Sequence, residues 1–514
     1  MNRQVYWLSS LFLLLSVICI AFRYPGNLPP WLYVYNDEFR LWKPVALMDL
    51  GSEYYGRLRP LHFLLTDMMF AAGYLGLVPG KMVSWLAALL TVIFLLAHGL
   101  QIKNTLSTAT APILLSVIPL FIYFGVVGVP DILVGLCLLW AAIAWEHAEN
   151  WQRRVWYVLA GSFVGLALLS KEQSLFYLVP LGLGLIRPLL KRPQVYWPYL
   201  NATFDARYAL ALLGASIVFL PFALFVAAQA PFPYVATWGR QFIMATASAS
   251  ERLDKLILSM RLMPLWLGWP LLVLVAIGLV KGLKSWRSLL NAFGLIGIVM
   301  FLFIPGPNYL VPLLPWLSLI ASNGLELLTN WIKRPVTRCV SLVALVLLIC
   351  LGQTSSALMA HWASRDTFFQ DTVERLRQLG FPATSAWLFS NYWPVTFTFA
   401  LGYGNATWLT TDEHDAHIFE VSGLTIKAIE QEPLPAMPLE VLQTQGGIVV
   451  IMWPRLDDLL AKEPPYRLQA TQFIQRCSQP VWVLNTRPRF PISSNTSQIL
   501  IYRIEPGQLR KSCP

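Results

Sequence analysis

Apolar runs of about 17 to 22 residues follow one another through the first 358 positions, and a chain that carries them in series can bury them only in hydrocarbon. They lie near 5–22, 82–100, 109–127, 131–147, 155–170, 174–190, 207–228, 263–280, 289–305, 309–328 and 338–358, which predicts about eleven crossings. The fold class expected is a polytopic α-helical membrane protein. Composition agrees: 56% of the 514 residues are apolar and 13% charged, about half the charged share usual in soluble domains, which excludes an ordinary soluble enzyme. A formal charge of +11 would suggest nucleic acid for a soluble domain, yet here the bases sit in short loops between apolar runs, where they orient helices. No nucleic-acid partner is expected. The first run follows Met1-Asn2-Arg3 with no small-residue cleavage site after it and reads as an uncleaved helix.

The short loops alternate in charge. Lys103, then Arg153 and Arg154, then Arg187, Lys191 and Arg192, then Lys281, Lys284 and Arg287, then Lys333, Arg334 and Arg338 mark one side, cytoplasmic by the positive-inside rule. The loops of opposite phase, at 127–131, 170–172 and 305–308, hold a single basic residue, Lys171, and face outward. A further apolar stretch, about Pro60 to Val78, would invert every later loop if it crossed. It is therefore expected on the outer face, with Arg59, His62 and Asp67 among its polar members. The run Glu251–Met263 reads either as an interfacial helix or as a lid over a lipid ligand.

The membrane domain is expected over 1–358 and a second domain over 359–514, where polar residues, Gly and Pro reach soluble density. Strand-like runs at 386–389, 447–452, 481–484 and 498–502, with a helical pattern over 366–378, predict a small α/β domain outside the membrane. Four cysteines, Cys19, Cys137, Cys339 and Cys350, lie in apolar runs as small hydrophobes. Cys477 and Cys513 lie in polar sequence, where a bridge and two free thiols are both open.

Chemistry-bearing residues cluster at the outward loops. Asp37 and Glu38 adjoin in the first of them and read either as a solvated pair for Arg40 or Lys43, or as a general base for an attacking hydroxyl. Asp131 opens a helix after Pro130, a position that the helix dipole favours whatever the function. Lys171 with Glu172 in a short turn is either a snorkelling lysine or a fixed cation. Arg57, Arg59 and His62 read as interface anchors beside Tyr54 and Tyr55, or as anion ligands. The six histidines show no His-Glu-x-x-His spacing, and His414 and His417 with Asp412, Glu413 and Asp415 read as a polar loop or a surface metal patch. The chain has no phosphate-binding Gly-x-x-x-x-Gly-Lys motif to drive transport.

One helix, an outer loop with Asp37-Glu38, and then Gly56-Arg57-Leu58-Arg59-Pro60-Leu61-His62-Phe63 resembles the GT-C glycosyltransferases of the protein O-mannosyltransferase and aminoarabinose transferase type. Val129-Pro130-Asp131 is similar to that family's second outer-loop acid, and Gly165–Glu172 to its Leu-Leu-Thr/Ser-Lys turn. Pro307-Asn308-Tyr309-Leu310-Val311-Pro312-Leu313-Leu314-Pro315 looks like its Arg-Tyr-x-x-Pro-x-x-Pro helix start, with Asn308 where many relatives carry Arg or His. The resemblance covers roughly 1–358; the second domain matches no module of the family.

The resemblance implies an inverting glycosyltransferase of a bacterial inner membrane. Its N-terminus would be cytoplasmic and its second domain periplasmic. It would move a sugar from a polyprenyl-phosphate donor to a glycan, lipid or protein acceptor. Asp37 with Glu38 would be catalytic; Arg57, Arg59, His62, Asp131, Lys171, Glu172, Asn308 and Tyr309 would hold the donor's phosphate and sugar. No cofactor is expected; some relatives use a divalent metal and others none. The rival readings are a transporter or lipid flippase, and a membrane anchor for the second domain. The apolar runs are nearly free of ionisable residues, which favours chemistry at one face over a path through the membrane.

Overall fold

The computed structural model describes residues 3–25, 59–74, 78–102, 108–191, 205–229, 249–282, 289–330, 332, 334–364, 368–381, 387–390, 401, 403–408, 418–422, 425–429, 438–453, 465–485 and 498–509. These form two compact units, one reaching to His361 and the other beginning at Trp362.

In the first unit every apolar run is helical. After α1 (Arg3–Ala21), α2 (Pro60–Ala71) occupies the stretch expected on a membrane face. Its 12 residues make a rod of about 18 Å, well short of a hydrocarbon core of about 30 Å. Next come α3 (Val78–Ile102), α4 (Ala111–Ser116), α5 (Pro119–Phe124), α6 (Asp131–Trp151), α7 (Arg154–Ser170) and α8 (Val179–Lys191). They are followed by α9 (Ala206–Gln229), α10 (Ala249–Leu267), α11 (Trp269–Gly282), α12 (Leu289–Phe303), α13 (Leu314–Thr329) and α14 (Pro335–Ser364). Among the described residues, Val78–His98, Asp131–Trp151, Ala206–Leu224, Pro307–Thr329 and Val336–Gln353 are long and apolar enough to cross a bilayer unaided.

Two runs depart from a single span. The run at 109–127 is split: Ile118 is extended (φ −68°, ψ 122°) because the following Pro119 disfavours helical geometry there. Both short helices are wholly buried, and irregular backbone is tolerated at membrane depth when protein surrounds it. The run at 263–280 is broken at Gly268, where two helical segments meet at 103°.

Small residues let the helices touch backbone to backbone. A Cβ on Gly161 of α7 would fall 1.6 Å from the carbonyl oxygen of Ala211 on α9, and one on Gly214 of α9 would fall 2.0 Å from that of Val158. Gly278 of α11 and Gly324 of α13 meet Ile320 and Leu274 in the same way. Such contacts replace the hydrophobic drive that lipid cannot supply, and they fix α7, which carries Lys171 at its end.

The second unit is a seven-stranded sheet in the order β4-β3-β2-β1-β5-β7-β6. Its strands are β1 (Trp387–Ser390), β2 (Tyr403–Trp408), β3 (Ile418–Ser422), β4 (Thr425–Ile429), β5 (Gly447–Trp453), β6 (Trp482–Asn485) and β7 (Gln498–Ile504). β1 pairs in parallel with β2 and β5; the remaining pairings are antiparallel. The amphipathic α15 (Phe368–Gln378) falls where a helix is expected, and α16 (Pro438–Gln445) and α17 (Pro465–Cys477) are additional. Phe389, Leu442, Val449, Ile451, Ile474 and Tyr502 form the core. Cys477 is disulfide-bonded; Cys513, its expected partner, lies outside the described residues.

Candidate active site

The site is assembled at the helix ends that carry Asp131 and Lys171. Pro130 halts the preceding turn and places Asp131 as the first residue of α6, with Val134 N–H donating to Pro130 O at 2.9 Å. Two contacts hold that turn against α3: Gly80 packs over Gly128, and Ser84 Oγ donates to Val129 O at 2.9 Å. At the end of α7, Lys171 leaves helical geometry (φ −157°, ψ 131°) before the 3-10 segment Glu172–Leu178 begins.

That extended residue turns its side chain inward, where Lys171 Nζ donates to Asp131 Oδ1 across 40 positions of sequence. Asp131 is 3% and Lys171 6% exposed. Two ions so removed from water each carry a desolvation cost of several kcal/mol, which only close pairing and further hydrogen bonds offset.

Tyr309 completes the group, its ring centroid 5.4 Å from Lys171 Nζ, within cation–π range. Glycine makes this approach possible. Gly135, one turn after Asp131, faces Pro312, and a Cβ there would lie 3.3 Å from Pro312 Cα. The segment Pro307–Leu313 can therefore lie directly on α6, carrying Tyr309 toward the ion pair, with Asn308 half-buried next to Tyr309 in the chain.

Arg59 and His62 lie at the start of α2, which packs on both α3 and α7. Both are buried, and neither ring nitrogen of His62 has a hydrogen-bond partner. Burial first, and the charge of Arg59 second, push the His62 imidazole down to about 3, so it is neutral near pH 7. The sign of its linkage follows. Between about pH 6.5 and 3 the unfolded chain binds a proton that the folded chain excludes, so stability present above pH 6.5 is lost as pH falls, by about 1.4 kcal/mol per unit. The thermal midpoint is thus expected to fall between pH 6.5 and 4.5, and His62→Leu to flatten that slope; equal slopes in the two proteins would contradict the assignment.

The sequence reading missed Lys81. It is 3% exposed in the first turn of α3, where the helix dipole disfavours a cation, and it lies between Gly80 and Ser84, the two residues that grip the Asp131 turn. The available signal was a lysine directly ahead of the apolar run 82–100.

The structure thus brings Asp131, Lys171 and Tyr309 together with Asn308 alongside, and sets Arg59 and His62 on a neighbouring helix. Asp37, Glu38 and Arg57 lie outside the described residues, as do Cys513, His414 and His417; Glu172 is described only in its backbone. No group of three metal-ligating side chains occurs among the described residues.

Residues 60–219 match the family model of dolichyl-phosphate-mannose-protein mannosyltransferases, a span that runs from α2 into α9 and contains His62, Asp131 and Lys171. Nearly the whole chain is similar in fold to crystal structures of ArnT from Cupriavidus metallidurans. In the apo state the identity is 15% and the TM-score 0.60, over 99% of this chain and 99% of that one. For ArnT bound to undecaprenyl phosphate they are 14% and 0.58, over 96% and 97%. No curated protein sequence matches the chain.

Proposed function

We propose, for a chain whose fold is that of the GT-C superfamily of membrane glycosyltransferases, that it moves a sugar from a polyprenyl-phosphate donor to a hydroxyl of a glycan, lipid or protein. The observation that carries this reading is the buried Asp131–Lys171 pair with Tyr309, built where the ends of α6 and α7 meet the segment Pro307–Leu313. That ArnT is solved with undecaprenyl phosphate supports the class of donor.

The acceptor oxygen attacks the anomeric carbon from the face opposite the phosphate, the bond from that carbon to the phosphate oxygen breaks, and the sugar inverts. The proton of the acceptor hydroxyl passes to Asp37, with Glu38 beside it. The electron pair of the broken bond leaves with the lipid phosphate, whose added charge must be met by fixed cations in a poorly hydrated place. Lys171, with Arg57 and Arg59, supplies them. Asp131 and the Tyr309 ring hold the Lys171 ammonium in position, while neutral His62, Asn308 and Glu172 offer hydrogen bonds to the sugar and phosphate. These steps use side chains alone.

The basic loops support the sidedness proposed, with the N-terminus in the cytoplasm, the site on the outer face and 359–514 outside; a bacterial inner membrane is part of the same proposal. Reconstituted vesicles given a polyprenyl-phosphate sugar and an acceptor test the proposal. Transfer with inverted anomeric configuration, read by NMR, is the expected result. Donor that crosses the bilayer intact, with no glycosidic bond formed, would replace the proposal by a flippase.

A further inference from the structure

The break between α10 and α11 is a built joint. Gly268 sits at φ +85°, in the left-handed region that glycine adopts without strain. From α14, Gln353 Nε2 donates to Leu267 O at 3.3 Å, and a Cβ on Gly268 would lie 2.7 Å from that same nitrogen. At the joint and along α10, three buried polar atoms have no hydrogen-bond partner: Ser259 Oγ and Trp266 Nε1 on α10, and Gln353 Oε1 on α14. All three residues are 0% exposed.

Two of them adjoin the joint and the third lies two turns away along α10. Ser259 and Trp266 are seven residues apart, so they share a face of α10 about 10 Å apart along its axis. The Gln353 amide reaches the carbonyl of Leu267, the residue after Trp266. Leu253, Ile257 and Met260 of the same helix are exposed, so α10 turns apolar groups outward and unsatisfied polar groups inward.

Each such atom has given up water for no partner, and an apolar side chain of similar shape would avoid that cost. The set has a chemical character. Trp266 Nε1 only donates, Gln353 Oε1 only accepts, and Ser259 Oγ does both. A row of this kind matches hydroxyl groups, which donate and accept. It does not match phosphate, whose oxygens would meet the Gln353 carbonyl with like partial charge.

We propose that the inward face of α10, with Gln353, is a sugar-hydroxyl site that α10 opens and closes by pivoting at Gly268. The inference deepens the proposed function and rests on it only for the carrier of the sugar. The hydroxyls belong either to the donor's sugar or to the acceptor glycan.

Binding to the full-length protein in nanodiscs tests it, with three probes: sugar-free decaprenyl phosphate, decaprenyl phosphates bearing single hexoses or pentoses, and free short glycans. Wild type is expected to bind a sugar-bearing lipid or a glycan at least tenfold tighter than Ser259→Ala or Trp266→Phe does, while all three bind sugar-free lipid equally. Ser259→Ala should also melt at higher temperature without ligand, since it loses an unpaired polar atom at little change of shape, whereas Trp266→Phe also leaves a cavity and is read by binding alone; two independent substitutions keep the test open if one misfolds. Loss confined to the lipid-linked sugars identifies the donor, and loss confined to glycans the acceptor. Variants that keep wild-type affinity for every sugar probe, or a wild type that gains nothing from any sugar, overturn the site. Failure of sugar-free decaprenyl phosphate to bind wild type would instead strike the proposed lipid-phosphate donor.

Discussion

Lys171→Met is expected to lower sugar transfer at least 100-fold and to lower the thermal midpoint together with it. The substitution keeps the length of the side chain and removes its charge, which leaves Asp131 ionised, buried and without its ammonium partner. Removing one member of a buried pair costs about 3–5 kcal/mol, because the remaining charge has already given up its water. Asp131→Asn should act in the same direction. The double variant separates structure from chemistry: with both charges gone the midpoint should recover much of its loss, as it does when a buried pair is replaced by neutral groups. Transfer should stay at the level of Lys171→Met, since the Lys171 ammonium is still missing beside the leaving phosphate. A double variant that regains both stability and turnover would make the pair a structural clasp alone.

The second large effect is expected at Asp37. Asparagine there has nearly the same shape but cannot take a proton, and loss of a general base costs a reaction roughly 100- to 10,000-fold in rate. Affinity for sugar-free polyprenyl phosphate should be unchanged, because the base is not a phosphate ligand. Rate and affinity are therefore to be read on the same preparation. Should Asp37→Asn lose less than tenfold while Glu38→Gln abolishes turnover, the proton acceptor is Glu38.

Much of the fold was legible because hydrocarbon is a demanding solvent: a helix that meets lipid has to be apolar along its length, and that pattern needs no knowledge of partners. The breaks were harder to see. Pro119 inside 109–127, and Pro264, Gly268 and Pro270 inside 263–280, were visible as letters, but hydropathy averages over them and continuity was expected. In the second unit β1, β5, β6 and β7 stood out as apolar runs, whereas β2 to β4 carry Gly404, Asn405, Glu420 and Lys427 and depend on their neighbours in the sheet.

The site was half legible. Asp131 and Lys171 stood out as charges at helix ends, but their pairing spans 40 positions and depends on how closely Pro312 can approach Gly135, which no local pattern encodes. Lys81 was hidden by the apolar residues around it, and its burial between Gly80 and Ser84, which grip the Asp131 turn, appears only once α3 is packed.

Breakage of a sugar–phosphate bond at the Asp131–Lys171 site can be followed directly. The most direct measurement is release of free polyprenyl phosphate by the purified protein in nanodiscs, over a panel of short-chain polyprenyl-phosphate sugars, for wild type and Lys171→Met in parallel. Release by wild type with at least one donor, and a fall of at least 100-fold in the variant, are expected. Release at the same rate in both, or none by folded wild type with any donor, would contradict breakage at that site.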